Sequence, residues 1–372
     1  MQREKTKKNG SLKSLLYLLV LLAAGLLLGF LIGKYTIPEK GGPFHFLGSL
    51  LFMYLAVLLQ IIFHEGGHLI CGLLSGYSFL SFRVGSLILV KKPEGFRLKR
   101  YALAGTGGQC LLDPPEPRDG FIPVMLYNLG GPLANLLTAV LFFMLWMFLP
   151  MAWALKTLCL CLALTGGVLG LMNGIPMHMG AIDNDGMNAL SVSKSQSANR
   201  ALRLQLKINA ELTRGVRLRD MPEDWFRVQE SEDLRNPLIA ALAVYEEARL
   251  MEQGRLKEAK AACIRLLEPD MGLLEIYRQG ITMDLICNQL LLGEDPEKIQ
   301  GLLNKSLEQF MKQMKGDLSV IRTRYLLALL KDGEPEKAQK IREKFEKRVR
   351  TYPTEGNISL ERAIMDLAPK EA

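Results

Sequence analysis

Gln60-Ile61-Ile62-Phe63-His64-Glu65-Gly66-Gly67-His68-Leu69-Ile70 places two imidazoles and a carboxylate inside a stretch that is otherwise apolar over residues 44–74. That length exceeds the roughly 20 helical residues that cross a hydrocarbon core of about 30 Å. Ionisable groups are costly in such a setting and mark function by default. On a helix, residues four apart project from one face, so His64 and His68 can grip a single metal ion while Glu65 lies within reach of a water on that metal. Zinc takes neutral imidazole nitrogens at about 2 Å and lowers the pKa of its water toward 7; an adjacent glutamate can take the proton and pass it to a leaving amine. Two of the four histidines of the chain fall in this pentapeptide. The pattern is that of a zinc hydrolase, against the bland alternatives of a chance match or of histidines that only satisfy a core.

Working outward, the 372 residues carry 46 Lys and Arg against 38 Asp and Glu, a formal net charge of +8. Only 15 of those basic residues and 9 of the acidic ones precede residue 187, so the first half reads as membrane and the second as water. Four stretches are long enough to span: residues 15–32, 44–74, 125–149 and 152–175. The first follows Arg3, Lys5, Lys7, Lys8 and Lys13, as a signal peptide would; its apolar run is longer than a usual signal core, and Lys34-Tyr35 follows instead of small cleavage-site residues. A retained anchor is the preferred reading. The positive-inside rule assigns the basic N-terminus and the loop with Lys91, Lys92, Arg97, Lys99 and Arg100 to the cytoplasm. Four spans then return the C-terminus to the cytoplasm and put the histidine motif toward the cytoplasmic end of the second span. The cysteines at 71, 110, 159, 161, 263 and 287 show no metal-type spacing, and disulfides are not expected.

A tetrahedral catalytic zinc needs a third protein ligand and one open position. Past the fourth apolar stretch runs Asn173-Gly174-Ile175-Pro176-Met177-His178-Met179-Gly180-Ala181-Ile182-Asp183-Asn184-Asp185-Gly186, which offers His178, Asp183 and Asp185. Read alone, Asp183-Asn184-Asp185-Gly186 is equally the composition of a turn.

With these residues in view, the chain resembles the site-2 protease family of intramembrane zinc metalloproteases. Members carry HExxH on one membrane helix, Gly-Pro-x-x-Asn on a second, and Asn-x-x-Pro followed by Asp-Gly on a third, whose aspartate is the third zinc ligand. The matching residues here are His64 to His68, Gly131-Pro132-Leu133-Ala134-Asn135, and Asn173-Gly174-Ile175-Pro176 with Asp185-Gly186, in the same order. One departure is a longer interval between Pro176 and Asp185-Gly186, with Asn184 where the common form has Leu; the resemblance is to bacterial members with such a loop. It covers roughly residues 44–190 and implies one zinc per chain held by His64, His68 and Asp185, with Asp183 and His178 as lesser alternatives.

Asn135 and Asn173 are amides in a membrane, either glue between helices or donors aimed at the oxyanion that forms on a peptide carbonyl. Gly130, Gly131 and Pro132 would loosen the third span or let helices pack closely. Between the second and third spans, residues 77–118 alternate as strands at 79–84, 87–90 and 96–103, with a turn near Pro93-Glu94-Gly95. Gly105, Gly107 and Gly108 follow; no Lys-Ser/Thr succeeds them, so a phosphate loop is not read there. A small sheet at the membrane surface is expected. Peptidases hold substrates extended, and an exposed strand edge does so by strand addition; family members are thought to use one, which makes this segment, with Gly105, Gly107 and Gly108, the candidate substrate clamp.

The second half is helical in pattern and weakly repetitive. Gly254-Arg255-Leu256-Lys257-Glu258-Ala259-Lys260, Gly293-Glu294-Asp295-Pro296-Glu297-Lys298-Ile299 and Gly333-Glu334-Pro335-Glu336-Lys337-Ala338-Gln339 begin on glycines 39 and 40 residues apart. Each follows a Leu-rich helical stretch and precedes an amphipathic one, the grammar of a helical-hairpin array. It resembles degenerate tetratricopeptide-type repeats of longer period that lack most signature aromatics. Such arrays bind protein or peptide or cap a domain, and the mixed charge argues against nucleic acid. The excess of base is accounted for by topology and anionic lipid.

The expected fold class is mainly α: a polytopic membrane protein of about four transmembrane helices with a small membrane-associated β element and a C-terminal cytoplasmic helical repeat domain. Domain boundaries are expected as 1–40 for the basic tail and anchor, 41–190 for the metal-binding core with its insert at 77–118, 191–235 for a linker helix, and 236–372 for the repeats. The expected activity is an intramembrane zinc endopeptidase of the cell membrane that cuts a membrane-associated polypeptide near the cytoplasmic face. Its partners would be the bilayer, the substrate and a protein docked on residues 236–372, with no nucleic acid. The rivals are a non-catalytic scaffold with a structural metal, for which Glu65 has no use, and a transporter, disfavoured by the few spans and the lack of an inverted repeat.

Overall fold

The computed structural model describes residues 25–27, 29–38, 42–92, 94–101, 107–179, 182–229, 232–295 and 297–369. Two compact units divide the chain, Met1–Cys71 with Met125–Leu190, and Gly72–Val124 with Ser191–Ala372.

In the first unit, a short apolar helix α1 (Gly25–Thr36) precedes α2 (Pro43–Leu74), α3 (Met125–Phe148) and α4 (Trp153–Gly174). Among the described residues these last three are the helices long and apolar enough to cross a membrane. The anchor expected at 15–32 lies largely outside the described residues. Five consecutive residues of α4, Cys159 to Ala163, are buried. Five residues exceed one helical turn, so α4 is covered on every side there. By contrast α2 shows Leu47, Leu50, Leu51 and Tyr54, and α3 shows Leu137, Val140 and Leu141, as exposed apolar surface, which fits contact with lipid. After α4 the chain forms a two-stranded ribbon, β5 (His178–Met179) with β6 (Ile182–Asp183), and enters α5 (Asp185–Lys194).

The second unit combines the insert with the C-terminal half. Strands β1 (Ser78–Val84), β2 (Leu87–Lys92), β3 (Gly95–Arg100) and β4 (Gly108–Asp113) form an antiparallel sheet in the order β3-β2-β1-β4. Val84 pairs with Leu87 across the two-residue turn Gly85-Ser86, and Gly85 has φ 56°, as tight hairpin turns require. Strand β3 ends at Arg100, short of the expected 103, and β4 is not among the expected strands: the glycine-rich stretch hides a strand whose partner, β1, lies about 30 residues away in sequence.

Helix α6 (Gln196–Arg214) starts on the Ser195 side-chain cap and stops at Gly215, φ 96°. Its buried Leu204, Ile208 and Leu212 join α7 (Pro237–Glu252), α8 (Leu256–Leu266), α9 (Glu275–Leu291), α10 (Glu297–Gln300), α11 (Lys305–Gln313), α12 (Leu318–Leu326), α13 (Pro335–Val349) and α14 (Glu355–Asp366) around one core that includes Leu242, Ile286, Leu326 and Phe345. The three sequence-repeat glycines share one conformation: Gly254, Gly293 and Gly333 have φ 72°, 68° and 65°. The amides of Arg255 and Glu294 each reach back five residues, to Leu250 and Gln289, closing the helix end. Glu334 reaches back six, to Ala328, because a π turn over Leu327–Lys331 precedes it. A π turn holds one extra residue, which matches the second interval of 40 residues against 39.

This core also buries charge. Arg322 of α12, 1 % exposed, meets Asp284 of α9 at 2.5 Å and Glu361 of α14 at 3.2 Å. Glu247 of α7, fully buried, accepts the Cys263 thiol at 3.3 Å. Two carboxylates thus pair with one guanidinium, whose charge also reaches the Glu247 carboxyl. Burial drives Glu361 up to about 7 against the pull of Arg322, with Asp284 and Asp317 adding to the rise, and burial likewise pushes Glu247 well above the usual carboxylate range.

Candidate metal centre

Helical periodicity and two helix junctions assemble the site. In α2, His64 Nε2 lies 3.1 Å from His68 Nε2, one turn on. Asp185, the first residue of α5, brings Oδ2 to 3.1 Å from His64 Nε2 and 3.6 Å from His68 Nε2. Ligands at about 2.0–2.1 Å in a zinc tetrahedron stand about 3.3 Å apart, so the three atoms have the spacing that a zinc ion requires. Among the described residues they form the group able to hold a metal.

Both imidazoles are oriented from behind. His64 Nδ1 donates to Asn135 Oδ1 at 2.6 Å, and His68 Nδ1 donates to the Tyr127 carbonyl at 2.8 Å. Each acceptor is an oxygen, so the proton sits on Nδ1 and the Nε2 lone pair faces the centre. Asn135, fully buried in α3, is itself fixed: its Nδ2 donates to the Gln60 carbonyl at 2.9 Å and to Gln60 Oε1 at 2.7 Å. Gln60, also fully buried, donates to Leu162 of α4 at 2.9 Å. A run of amides therefore ties three helices to His64.

Glycines make the approach possible. A Cβ on Gly131 would lie 2.5 Å from His68 Nε2 and 2.7 Å from His64 Nε2; the missing side chain of α3 is the space in front of the ligand nitrogens. Where α2 crosses α3, a Cβ on Gly67 would lie 2.2 Å from the Gly130 carbonyl. At the second junction, a Cβ on Gly186 would meet the Gly174 carbonyl at 2.2 Å.

Asn184 places Asp185. Its Oδ1 accepts the amides of Met177 at 3.0 Å and Met187 at 2.9 Å, while its Nδ2 donates to the carbonyls of Met172 at 2.7 Å and Ile175 at 2.6 Å. This capping asparagine fastens the end of α4 to the first turn of α5. To act as ligands, the Asp185 carboxylate and the two Nε2 lone pairs must all be free of protons.

The structure brings His64, His68 and Asp185 together, with Glu65 buried beside them in sequence. Asp183 stands in β6 opposite His178 of β5. Asn173 donates to the Leu169 carbonyl of its own helix at 3.0 Å. Gly105 lies outside the described residues; the Gly107 carbonyl accepts the Gly85 amide at 2.8 Å, and the Gly108 carbonyl accepts Arg83 Nη2 at 3.0 Å, at the start of β4. Gln60, Gly131, Asn184 and the Tyr127 carbonyl escape a reading of the sequence as site residues. Gln60 has a signal, being a polar side chain one turn ahead of His64 in an apolar run; a backbone carbonyl has none.

A model of Peptidase family M50 matches residues 52–352 of the chain. No curated protein and no solved structure matches it.

Proposed function

The chain belongs to peptidase family M50, and from that premise we propose that it is an intramembrane zinc endopeptidase, site-2 protease-like, that cuts a membrane-associated polypeptide near the cytoplasmic face. The observation that carries the reading is the convergence of His64 Nε2, His68 Nε2 and Asp185 Oδ2 at zinc-ligand spacing. Zinc bound there supplies Lewis acidity and an activated water at neutral pH. Glu65 takes the proton of the attacking water and returns it to the leaving amine nitrogen. Asn135 acts as a positioning residue, holding the His64 ring in its metal-binding tautomer, rather than as an oxyanion donor, since its Nδ2 is committed to Gln60.

The chain is multi-pass, with both termini in the cytoplasm and the insert on that side, as its basic loop favours. Strand β3, an outermost strand paired with β2, takes an extended substrate by strand addition. The αL glycines at 254, 293 and 333 support a degenerate tetratricopeptide-like array that docks a protein partner.

Purified wild type is expected to hold about one zinc per chain and to cut members of a panel of single-span peptides, while Glu65→Gln keeps the metal and cuts none. Zinc in both proteins with cleavage by neither favours a scaffold with a structural metal. In the same assay Asp185→Asn should lose most of its zinc and Asp183→Asn little; equal loss sinks the ligand assignment.

A further inference from the structure

Strand alternation aims Ile88, Val90 and Lys92 of β2 at the helices of their own unit, and all three are buried, Lys92 at 7 % exposure. A lysine in such a row is out of character unless its ammonium has fixed partners. Lys92 Nζ donates to the Thr213 carbonyl at 2.6 Å and pairs with Glu355 Oε1 at 2.8 Å. Thr213 lies in the last turn of α6, where unpaired carbonyls favour a cation, and Glu355 opens α14. On the next strand, Lys99 Nζ donates to the Tyr352 carbonyl at 2.8 Å, just ahead of α14.

Other links attach other parts of the insert. Asp113 pairs with Arg214, Glu116 with Lys207 at 2.7 Å, and both backbone polar groups of Ile122 bond to Asn199. These hold β4 and the chain after it. Between the inner sheet face and the helices lies a cavity of about 190 Å³ lined by Ser81, Tyr101, Gln109, Asn209, Thr213 and Thr354. Ile88, Val90 and Leu111 line it as well, and Tyr101, just past β3, packs on the helical core and against Tyr352, so the hairpin rests on apolar contacts to which the two lysine links add fixed polar anchors.

We propose that Lys92, with Lys99, is a positioning residue for substrate: it pins the β2–β3 hairpin to the end of α6 and the start of α14, so that the helical half of the chain sets where the edge strand β3 presents itself. Whatever loads that half then reaches the strand through Thr213, Glu355 and Tyr352. This rests on the peptidase reading and on β3 being the strand that receives substrate.

The test uses the full-length protein in lipid nanodiscs, with Lys92→Met and Lys92→Arg. Four quantities are read: zinc content, KM and kcat on a fluorescent single-span peptide, and amide hydrogen exchange over residues 87–100. Loss of the pin should speed exchange in the hairpin about tenfold, the scale of one lost buried contact, and raise KM several-fold with zinc and kcat unchanged, while Lys92→Arg restores both. Unchanged exchange in Lys92→Met overturns the pin. Faster exchange with unchanged KM overturns substrate positioning while leaving the peptidase reading intact. A zinc-loaded wild type that cuts nothing removes the peptidase reading and the proposal with it.

Discussion

Gly131→Ala is expected to empty the metal centre: zinc content should fall from about one per chain to a small fraction, and cleavage with it. The added Cβ would sit 2.5 Å from His68 Nε2 and 2.7 Å from His64 Nε2, far inside the roughly 3.5 Å at which carbon and nitrogen cease to repel. Helix α3 has little room to withdraw from α2, because it is also packed closely on α4, where a Cβ on Gly170 would lie 2.7 Å from the Leu136 side chain and 3.1 Å from the Pro132 carbonyl. Relief would come from turning the imidazoles off Asn135 and Tyr127, which costs the tautomer and the ligand geometry together. Gly66→Ala is the control. That position lies within the same pentapeptide, but a methyl group there would meet nothing within 4 Å, and alanine for glycine within a helix stabilises by about 0.5–1 kcal/mol. Full zinc in Gly131→Ala, or equal loss in Gly66→Ala, would show that crowding at the ligand nitrogens is not what the glycine prevents.

How far the sequence reveals this site depends on whether local geometry or a distant partner places each residue. His64 and His68 are legible because the helical period alone sets their shared face. Asp185 is not, since two acids two residues apart are equivalent on paper; what distinguishes it is Asn184, whose four hydrogen bonds fasten α5 to the end of α4. The asparagine read as a departure from the family pattern is thus the part that places the carboxylate. Three apolar helices follow directly from length and hydropathy. Strand β4 does not, because its pairing with β1 is non-local. The glycines at 254, 293 and 333 are legible as punctuation, and their αL conformation is the physical reason for it. Lys92 reads in sequence as one more loop cation, and only the register of β2 turns it inward.

Arg322→Met should be the most damaging change away from the metal. Removing one member of a buried ion cluster costs about 3–5 kcal/mol, because the remaining charges stay desolvated without a counterion; for a unit of this size that is roughly 10 °C in the melting of the helical half. The loss should depend on pH, and its sign follows from Glu361. In the wild type this carboxyl titrates at about 7, against an ordinary 4.5, because burial outweighs the attraction of Arg322. Folding therefore retains a proton on Glu361 between those values, and the stability linked to that proton is complete below about 4.5 and fades as the pH rises through about 7. Without Arg322 the buried Glu361 carboxyl loses the cation that favours its charged form, so it holds its proton more tightly. The variant should be closest to wild type near pH 5 and furthest from it near pH 8. Adding Glu361→Gln, which removes one of the stranded charges, should recover part of the loss at pH 8 and little at pH 5, as a double-mutant cycle by thermal melting at the two pH values would show. An equal loss at both, with no recovery, would mean that Arg322 acts through the packing of its aliphatic stem among α9, α12 and α14 rather than through charge.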